Sequence, residues 1–358
     1  MIAEKAQHTH DQVRVLQRKL YRAAKEAPQR KFGVLYDKVY RRDVLEEAWR
    51  RVRRNRGSAG VDKQTIEAVE GYGVDRLLDE LEAELREKRY RPQPVRRVYI
   101  PKPGKPGQQR GLGIPVVRDR VVQAAVKLVI EPVLEADFRE CSYGFRPKRS
   151  AHDAIEEIRT WVTWGFRQVI DADLKACFDA LPHDGVIAAV RRRITDPWIL
   201  RLIQRWLKAS ILDEGAIRSA VAGTPQGGVI SPLLANAYLH ALDVAWEEKG
   251  RGAKLIRYCD DYVILCRGNP QPWFQRMERI VHDLGLSLNA EKTRIVDAKD
   301  GFDFLGMHFR LQSMRGNPRR LFCYRWPATK AMQSVRQKVR DAVGYDDLYS
   351  LDDKIRAL

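Results

Sequence analysis

Two acidic clusters hold the residues best suited to chemistry. Asp260 and Asp261 stand side by side in Tyr258-Cys259-Asp260-Asp261, between the apolar runs Leu255-Ile256 and Val263-Ile264-Leu265. That pattern predicts a hairpin with Asp260-Asp261 at its turn. Two-residue hairpin turns favour Asn-Gly or a similar pair, because the turn needs positive φ. Two adjacent carboxylates are poor turn chemistry, and each raises the cost of ionising the other. A bound divalent cation offsets that cost, and hard carboxylate oxygens suit Mg²⁺. Taken alone, the pair also fits a solvated acidic tip. The second cluster is Val169-Ile170-Asp171-Ala172-Asp173-Leu174. In a strand, residues 169, 171 and 173 share one face, so Asp171 and Asp173 point the same way. Carboxylates on two strands suit a two-metal phosphoryl-transfer centre, whose ions sit roughly 3.5–4 Å apart and stabilise the attacking and leaving oxygens. Asp179, followed by Ala180-Leu181-Pro182, reads instead as a residue that caps or precedes a helix.

The elements that must position these acids follow from periodicity and turn chemistry. Residues 11–56 read as basic helices anchored by Leu16, Leu20, Val44, Leu45, Ala48 and Trp49, ending at Gly57-Ser58-Ala59-Gly60. Residues 74–89 form an amphipathic helix with Leu77, Leu78, Leu81 and Leu85 at helical spacing. Val95 to Ile100 and Arg110 to Ile114 are strands on either side of a Pro/Gly-rich loop. A helix follows to Val133, with Asp119 as its cap, and another spans Pro182 to Arg193. Ser231 reads as an N-cap with Pro232 at the first helical position, opening a helix to Trp246. A helix from Trp273 to Leu284 closes at Gly285, with strand segments around Leu286, Thr293 and Phe304 to Phe309. The last thirty residues read as helical. Strands alternate irregularly with helices and include hairpins, so the fold class is α+β.

Composition narrows the partners. Lys and Arg number 65 against 47 Asp and Glu, for a net charge of +18, which points to a polyanion such as nucleic acid. The excess is concentrated: residues 1–56 hold 16 bases and 7 acids, and residues 86–110 hold nine bases and one acid, Glu87. Arg50, Arg51, Arg53 and Arg54 form the densest run and are the expected RNA-binding residues. The five cysteines form no C-x-x-C pair and are odd in number, which fits reduced thiols. With no membrane-length apolar run and no signal-peptide stretch at the start, the expected location is the cytoplasm.

From about Trp49 to Phe309 the chain resembles the reverse transcriptases encoded by bacterial group II introns. Tyr258-Cys259-Asp260-Asp261 is similar to the polymerase Y-x-D-D motif, with cysteine where the family more often has alanine. Asp173-Leu174-Lys175-Ala176-Cys177-Phe178 resembles the first palm motif, an aspartate with an aromatic five residues on, which selects Asp173 over Asp171. Thr224-Pro225-Gln226-Gly227-Gly228-Val229-Ile230-Ser231-Pro232 is similar to the P-Q-G loop. Ser142-Tyr143-Gly144-Phe145-Arg146-Pro147 and Gly57-Ser58-Ala59-Gly60-Val61-Asp62 are typical of the group II branch. Leu288-Asn289-Ala290-Glu291-Lys292-Thr293 and Phe304-Leu305-Gly306 complete the series in the family's order.

The resemblance implies a right-hand polymerase. The expected parts are a basic N-terminal extension (1–85), fingers (86–167), a palm with an antiparallel sheet flanked by helices (168–312) and the start of an incomplete helical thumb (313–358). It implies addition of deoxynucleotides to a DNA primer on an RNA template with Mg²⁺, and binding of intron RNA to assist splicing. Asp173 and Asp260 would bridge the ions, with Asp261 in support and the Leu174 carbonyl completing a shell. Phe178 would exclude a 2′-hydroxyl, and Gln226 and Gly227 would line the nascent base pair. Lys102 and Arg110 would grip the triphosphate, and Lys292 would protonate the departing pyrophosphate or pair with Glu291 or another acid. About fifty residues follow Phe309 and hold no Cys pair or His cluster, so the expectation is no DNA endonuclease and low processivity. Two other readings fit parts of the pattern: a maturase-like RNA-binding splicing factor with little polymerase activity, and an RNA-dependent RNA polymerase. Nothing in the sequence speaks to oligomeric state.

Overall fold

The computed structural model describes residues 2–101, 107–213, 215–218, 223, 227–249, 252–314 and 316–343. The chain opens with helices α1 (Ile2–Glu26), α2 (Tyr36–Val39), α3 (Arg42–Arg54), α4 (Ile66–Tyr72) and α5 (Val74–Arg86). In α3 the residues Val44, Leu45, Ala48, Trp49 and Val52 recur at helical spacing and are buried, leaving the arginines on the other face. Strands β1 (Val95–Pro101) and β2 (Gln109–Ile114) form the expected antiparallel hairpin. Next comes α6 (Val117–Glu135), buried on nearly every side and packed on α1 and α3. Each large apolar side chain it buries contributes about 1.5–3 kcal/mol. Asp119 does not cap α6. The cap position is Val116, and Asp119 lies within the first turn, accepting from Tyr90 Oη at 2.6 Å and Gln93 N at 2.9 Å.

Helix α7 (Ala151–Thr163) starts at a capping box, Ser150 with Asp153, and leads to β3 (Gln168–Asp173). After α8 (Cys177–Ala180), α9 (His183–Arg191) and α10 (Pro197–Leu207), the short strands β4 (Ile211–Asp213) and β5 (Ala216–Arg218) return to the first sheet, in the order β2-β1-β4-β5. The β1–β4 pairing is parallel, Val95 opposite Ile211. Strands β4 and β5 thus join the fingers sheet from inside the stretch expected for the palm, and no single cut separates the two. Asp179 sits inside the short α8 and precedes α9, which begins at His183.

Helix α11 (Ser231–Lys249) begins one residue earlier than expected. The Ile230 carbonyl accepts from Leu234 N at 3.1 Å, so Ser231 is the first helical residue, not the cap. Strands β6 (Ala253–Tyr258) and β7 (Asp261–Cys266) follow, then α12 (Gln271–Asp283) and β8 (Arg294–Asp297). Leu286 lies outside any strand, and the strand expected around Thr293 begins at Arg294. The palm sheet is antiparallel throughout, in the order β6-β7-β3-β8. A third sheet, β9 (Phe302–Phe304), β10 (Met307–Met314) and β11 (Asn317–Pro327), packs against α7. It carries strand structure well past residue 312, so helix returns only at α13 (Thr329–Val343). The sequence reading missed β11. No described helix is long and apolar enough to cross a membrane.

Candidate active site

The palm sheet brings the acids together by register. Asp173 ends β3 directly opposite Asp261, the first residue of β7. Tyr258 pairs with Asp261, so the hairpin turn is Cys259-Asp260, one residue earlier than the sequence suggested. Positive φ at the turn falls on Cys259, at 61°, and Asp261 is a strand residue. The turn is closely backed. A Cβ on Gly144 would lie 2.6 Å from Cys259 N, a distance only glycine allows.

Asp171 and Asp173 share a strand face as expected but meet different partners. Arg294 Nη2 reaches Asp171 Oδ2 at 3.2 Å. Asp173 Oδ2 accepts from Lys292 Nζ at 2.6 Å and Asn289 Nδ2 at 3.2 Å. Lys292 therefore pairs with an acid, and that acid is Asp173 in place of Glu291. Burial, then the Asp260 and Asp173 carboxylates, push the Asp261 carboxyl up to about 7, with Asp173 close enough to share its proton. Among the described residues no three His, Cys, Asp or Glu side chains already converge to coordinate an ion. The donor set nevertheless fits a divalent cation: hard oxygens from two strands and a turn, two of them crowded enough to hold a proton between them. Leu174 pairs with Leu288 in a narrow antiparallel bridge, with Lys175 N bonded to Ser287 O and Asn289 N to Asp173 O. In such a pair the groups of Leu174 itself point away from Leu288, so its carbonyl is turned to the hairpin side.

The acids lie at the floor of a cleft of about 1050 Å³ between the palm and fingers sheets. Arg110, Phe178, Gly227 and Lys292 all line it. Phe178 also packs its other side on the main core, so it serves both environments. Gly227 has φ of 117°, and a Cβ there would meet Gly113 O at 2.6 Å, which sets this loop directly against β2. Lys102, Lys105 and Gln226, with Thr224 and Pro225, lie outside the described residues. Arg97 lines the same cleft, lying across Gly111, and was not picked out from the sequence.

A second cleft, about 1110 Å³, runs along the basic face of α3 and is lined by Arg50, Arg51, Arg53 and Arg54 together with Lys127. Its charge is partly internal. Arg50 and Arg51 both reach Glu47, at 2.5 and 2.8 Å, and Arg53 reaches Glu70 at 2.5 Å. Burial raises the Glu47 carboxyl, but Arg51 and Arg50 outweigh it and hold that group below the usual range.

The sequence reading also missed Arg257, Asp243 and Asn236, all buried behind the Cys259-Asp260 turn. A signal was present: Arg257 stands in the apolar strand Leu255-Ile256-Arg257-Tyr258, where a charge requires a buried partner.

Residues 100–309 match the family model described as reverse transcriptase (RNA-dependent DNA polymerase). The chain is 36% identical to protein YkfC of Escherichia coli K12 over 335 residues, covering 81% of this chain and 86% of that protein. It is 28% identical to the group II intron-encoded protein LtrA of Lactococcus lactis subsp. cremoris over 348 residues, 78% of this chain, and spans 57% of that protein's length. Among solved structures, a chain of a partial Cas6-RT-Cas1–Cas2 complex matches over 73% of this chain and 43% of its own, at 24% identity and a TM-score of 0.41.

Proposed function

The chain belongs to the reverse transcriptase family, and from that premise we propose that it copies RNA into DNA at a site made by Asp173, Asp260 and Asp261. The observation that carries this reading is the register that sets Asp173 opposite Asp261, with Asp260 on the adjoining turn at the cleft floor. Reverse transcriptases use divalent metal ions, and here the carboxylate donors favour Mg²⁺. The three aspartates and the Leu174 carbonyl would hold such ions, which would activate a primer 3′-hydroxyl and neutralise charge on the leaving pyrophosphate.

The other residues bind and orient. Arg110, on β2 at the cleft rim, grips the triphosphate of a deoxynucleotide with a planar fork, and Lys102 is the second cation proposed for that task. Phe178 lies under the sugar and excludes a 2′-hydroxyl by volume, while Gly227 and Gln226 line the base pair. Lys292 reaches a departing pyrophosphate only by giving up its bond to Asp173. The cleft along α3 takes RNA backbone, held by the arginines that its acids leave uncompensated. LtrA carries group II intron-encoded in its name, and on that likeness the RNA bound by this chain includes intron RNA, whose splicing it assists. Five free thiols and the strong positive charge fit action in the cytoplasm.

Extension of a labelled DNA primer on an RNA template tests the reading. Product is expected with Mg²⁺ and none with chelator. Asp173→Asn and Asp260→Asn should each lower the rate at least on the order of 1000-fold, with RNA affinity nearly unchanged. Extension near the parental rate by either variant would refute the assignment.

A further inference from the structure

Arg257 is the most completely satisfied buried charge behind the catalytic turn. It is 0% exposed, as is Asp243. A guanidinium carries five N–H donors, and here each has an acceptor. Nε and Nη2 clasp the two oxygens of Asp243 at 2.8 and 2.5 Å. The second Nη2 hydrogen goes to Ser142 Oγ at 2.8 Å. Nη1 donates to Asn236 Oδ1 at 3.0 Å and to the Cys259 carbonyl at 2.8 Å.

The surrounding bonds make this a three-way joint. Asn236 and Asp243 are seven residues apart on α11, two helical turns on one face. Asn236 Nδ2 donates to the Gly144 carbonyl at 2.8 Å. Tyr143 N donates to the Arg257 carbonyl at 2.8 Å, and Arg257 N to the Cys141 carbonyl at 2.7 Å. Helix α11, the segment 141–144 and β6 are thereby fixed to one another. The bond to Cys259 is the one that matters for chemistry. That carbonyl belongs to the peptide joining Cys259 to Asp260, so its donor sets the plane from which the Asp260 side chain departs. Cys259 itself is left-handed, a conformation disfavoured for a residue with a Cβ, and needs such a hold.

We propose that Arg257 is a positioning residue for the active site, acting through the Cys259 carbonyl to aim the Asp260 carboxylate at the metal position, with Asp243 and Asn236 orienting the guanidinium. The proposal rests on Asp260 being a catalytic carboxylate. Burying an ion pair is a poor way to gain stability, since apolar residues of similar size often do as well. Direction is what the planar fork supplies and a hydrophobic core does not.

That contrast gives the test. Arg257→Met combined with Asp243→Leu removes both buried charges together and leaves the Cys259 carbonyl without its donor. Melting, RNA affinity, Mn²⁺ affinity from the electron paramagnetic resonance of free ion, and kcat and KM for the nucleotide are measured on the full chain. The double variant is expected to melt cooperatively and bind RNA as the parent does. Its Mn²⁺ affinity should fall on the order of tenfold and kcat on the order of 100-fold, with KM little changed. Arg257→Lys keeps the charge but cannot serve Asp243 and Cys259 at once, so it should lie between. A folded double variant with parental Mn²⁺ affinity and kcat overturns the proposal. Should the double variant fail to fold, Arg257→Lys decides on the same two readouts. Asp260→Asn runs alongside: parental behaviour there would remove the premise itself, an outcome distinct from failure of the clamp alone.

Discussion

Phe178 divides its surface between the core and the cleft, and the two roles come apart on substitution. Valine keeps part of the apolar volume but opens space where a sugar would lie. Phe178→Val should lower the ratio of kcat/KM for deoxy- over ribonucleotides at least on the order of tenfold. An unchanged ratio would reduce Phe178 to packing. Gly144 makes a sharper case, because its φ is not positive and the only reason for glycine is space. A methyl there meets the backbone of Cys259, which cannot swing aside as a long side chain can. Gly144→Ala should displace the turn and slow extension on the order of 10- to 100-fold, since a shift near 1 Å costs that much. RNA affinity should hold. At this scale the acids were legible because carboxylates on apolar strands are chemically conspicuous. The turn was placed one residue late because two aspartates drew attention away from Cys259, an unusual bearer of positive φ. Arg257 was passed over because four of its five acceptors lie on Ser142, Asn236 and Asp243, which only the fold brings to it.

Among elements, α3 shows how a charge run differs from a binding face. Glu47 is 2% exposed beneath Arg50 and Arg51, and removing those two would strand a buried carboxylate. The clean variant is Arg53→Gln with Arg54→Gln. It should weaken RNA binding and flatten the log–log salt dependence by about 0.7–1.8, one or two phosphate contacts at ~0.7–0.9 each. Titrations at several salt concentrations check this, and an unaltered slope would make the cleft along α3 a solvated surface. Helices such as α3 and α5 were readable because one face is plainly apolar. Strand β11 was not, because Asn317-Pro318-Arg319-Arg320 is exposed throughout and shows no alternation. Its pairing with β10 depends on backbone bonds, which leave little mark on side-chain pattern.

For the molecule as a whole, Asp119 ties the pH profile to the fold. Burial pushes its carboxyl up to about 6, against the bonds from Tyr90 and Gln93. A carboxyl raised in the folded state binds more protons there than in the unfolded chain, so its ionisation erodes stability as pH rises through about 4 to 6. Asp119→Asn removes that titration. The variant's stability relative to the parent should therefore improve between pH 4 and 7, by an amount on the order of 1–3 kcal/mol. Urea unfolding at the two pH values measures it, and a parallel shift at both would remove Asp119 from the pH dependence. The α+β class was legible from hairpins and irregular alternation, and the antiparallel palm from the family resemblance. The return of β4 to β1 was not, since three-residue strands carry too little pattern to name a distant neighbour.

The interleaving of strands also has a meaning in time. Ribosomes deliver the chain from its start, and β3 precedes its partner β7 by 88 positions, Asp173 to Asp261. At roughly 5–20 residues per second that is roughly 4–18 s of synthesis. Through that interval Val169, Ile170 and Ala172 have been made, while neither flanking strand exists to cover their edges. Bare apolar strands pair with whatever edge is nearest. The newborn enzyme is thus most exposed to misassembly just before Asp173 and Asp261 first meet, and fast translation between β3 and β7 protects it.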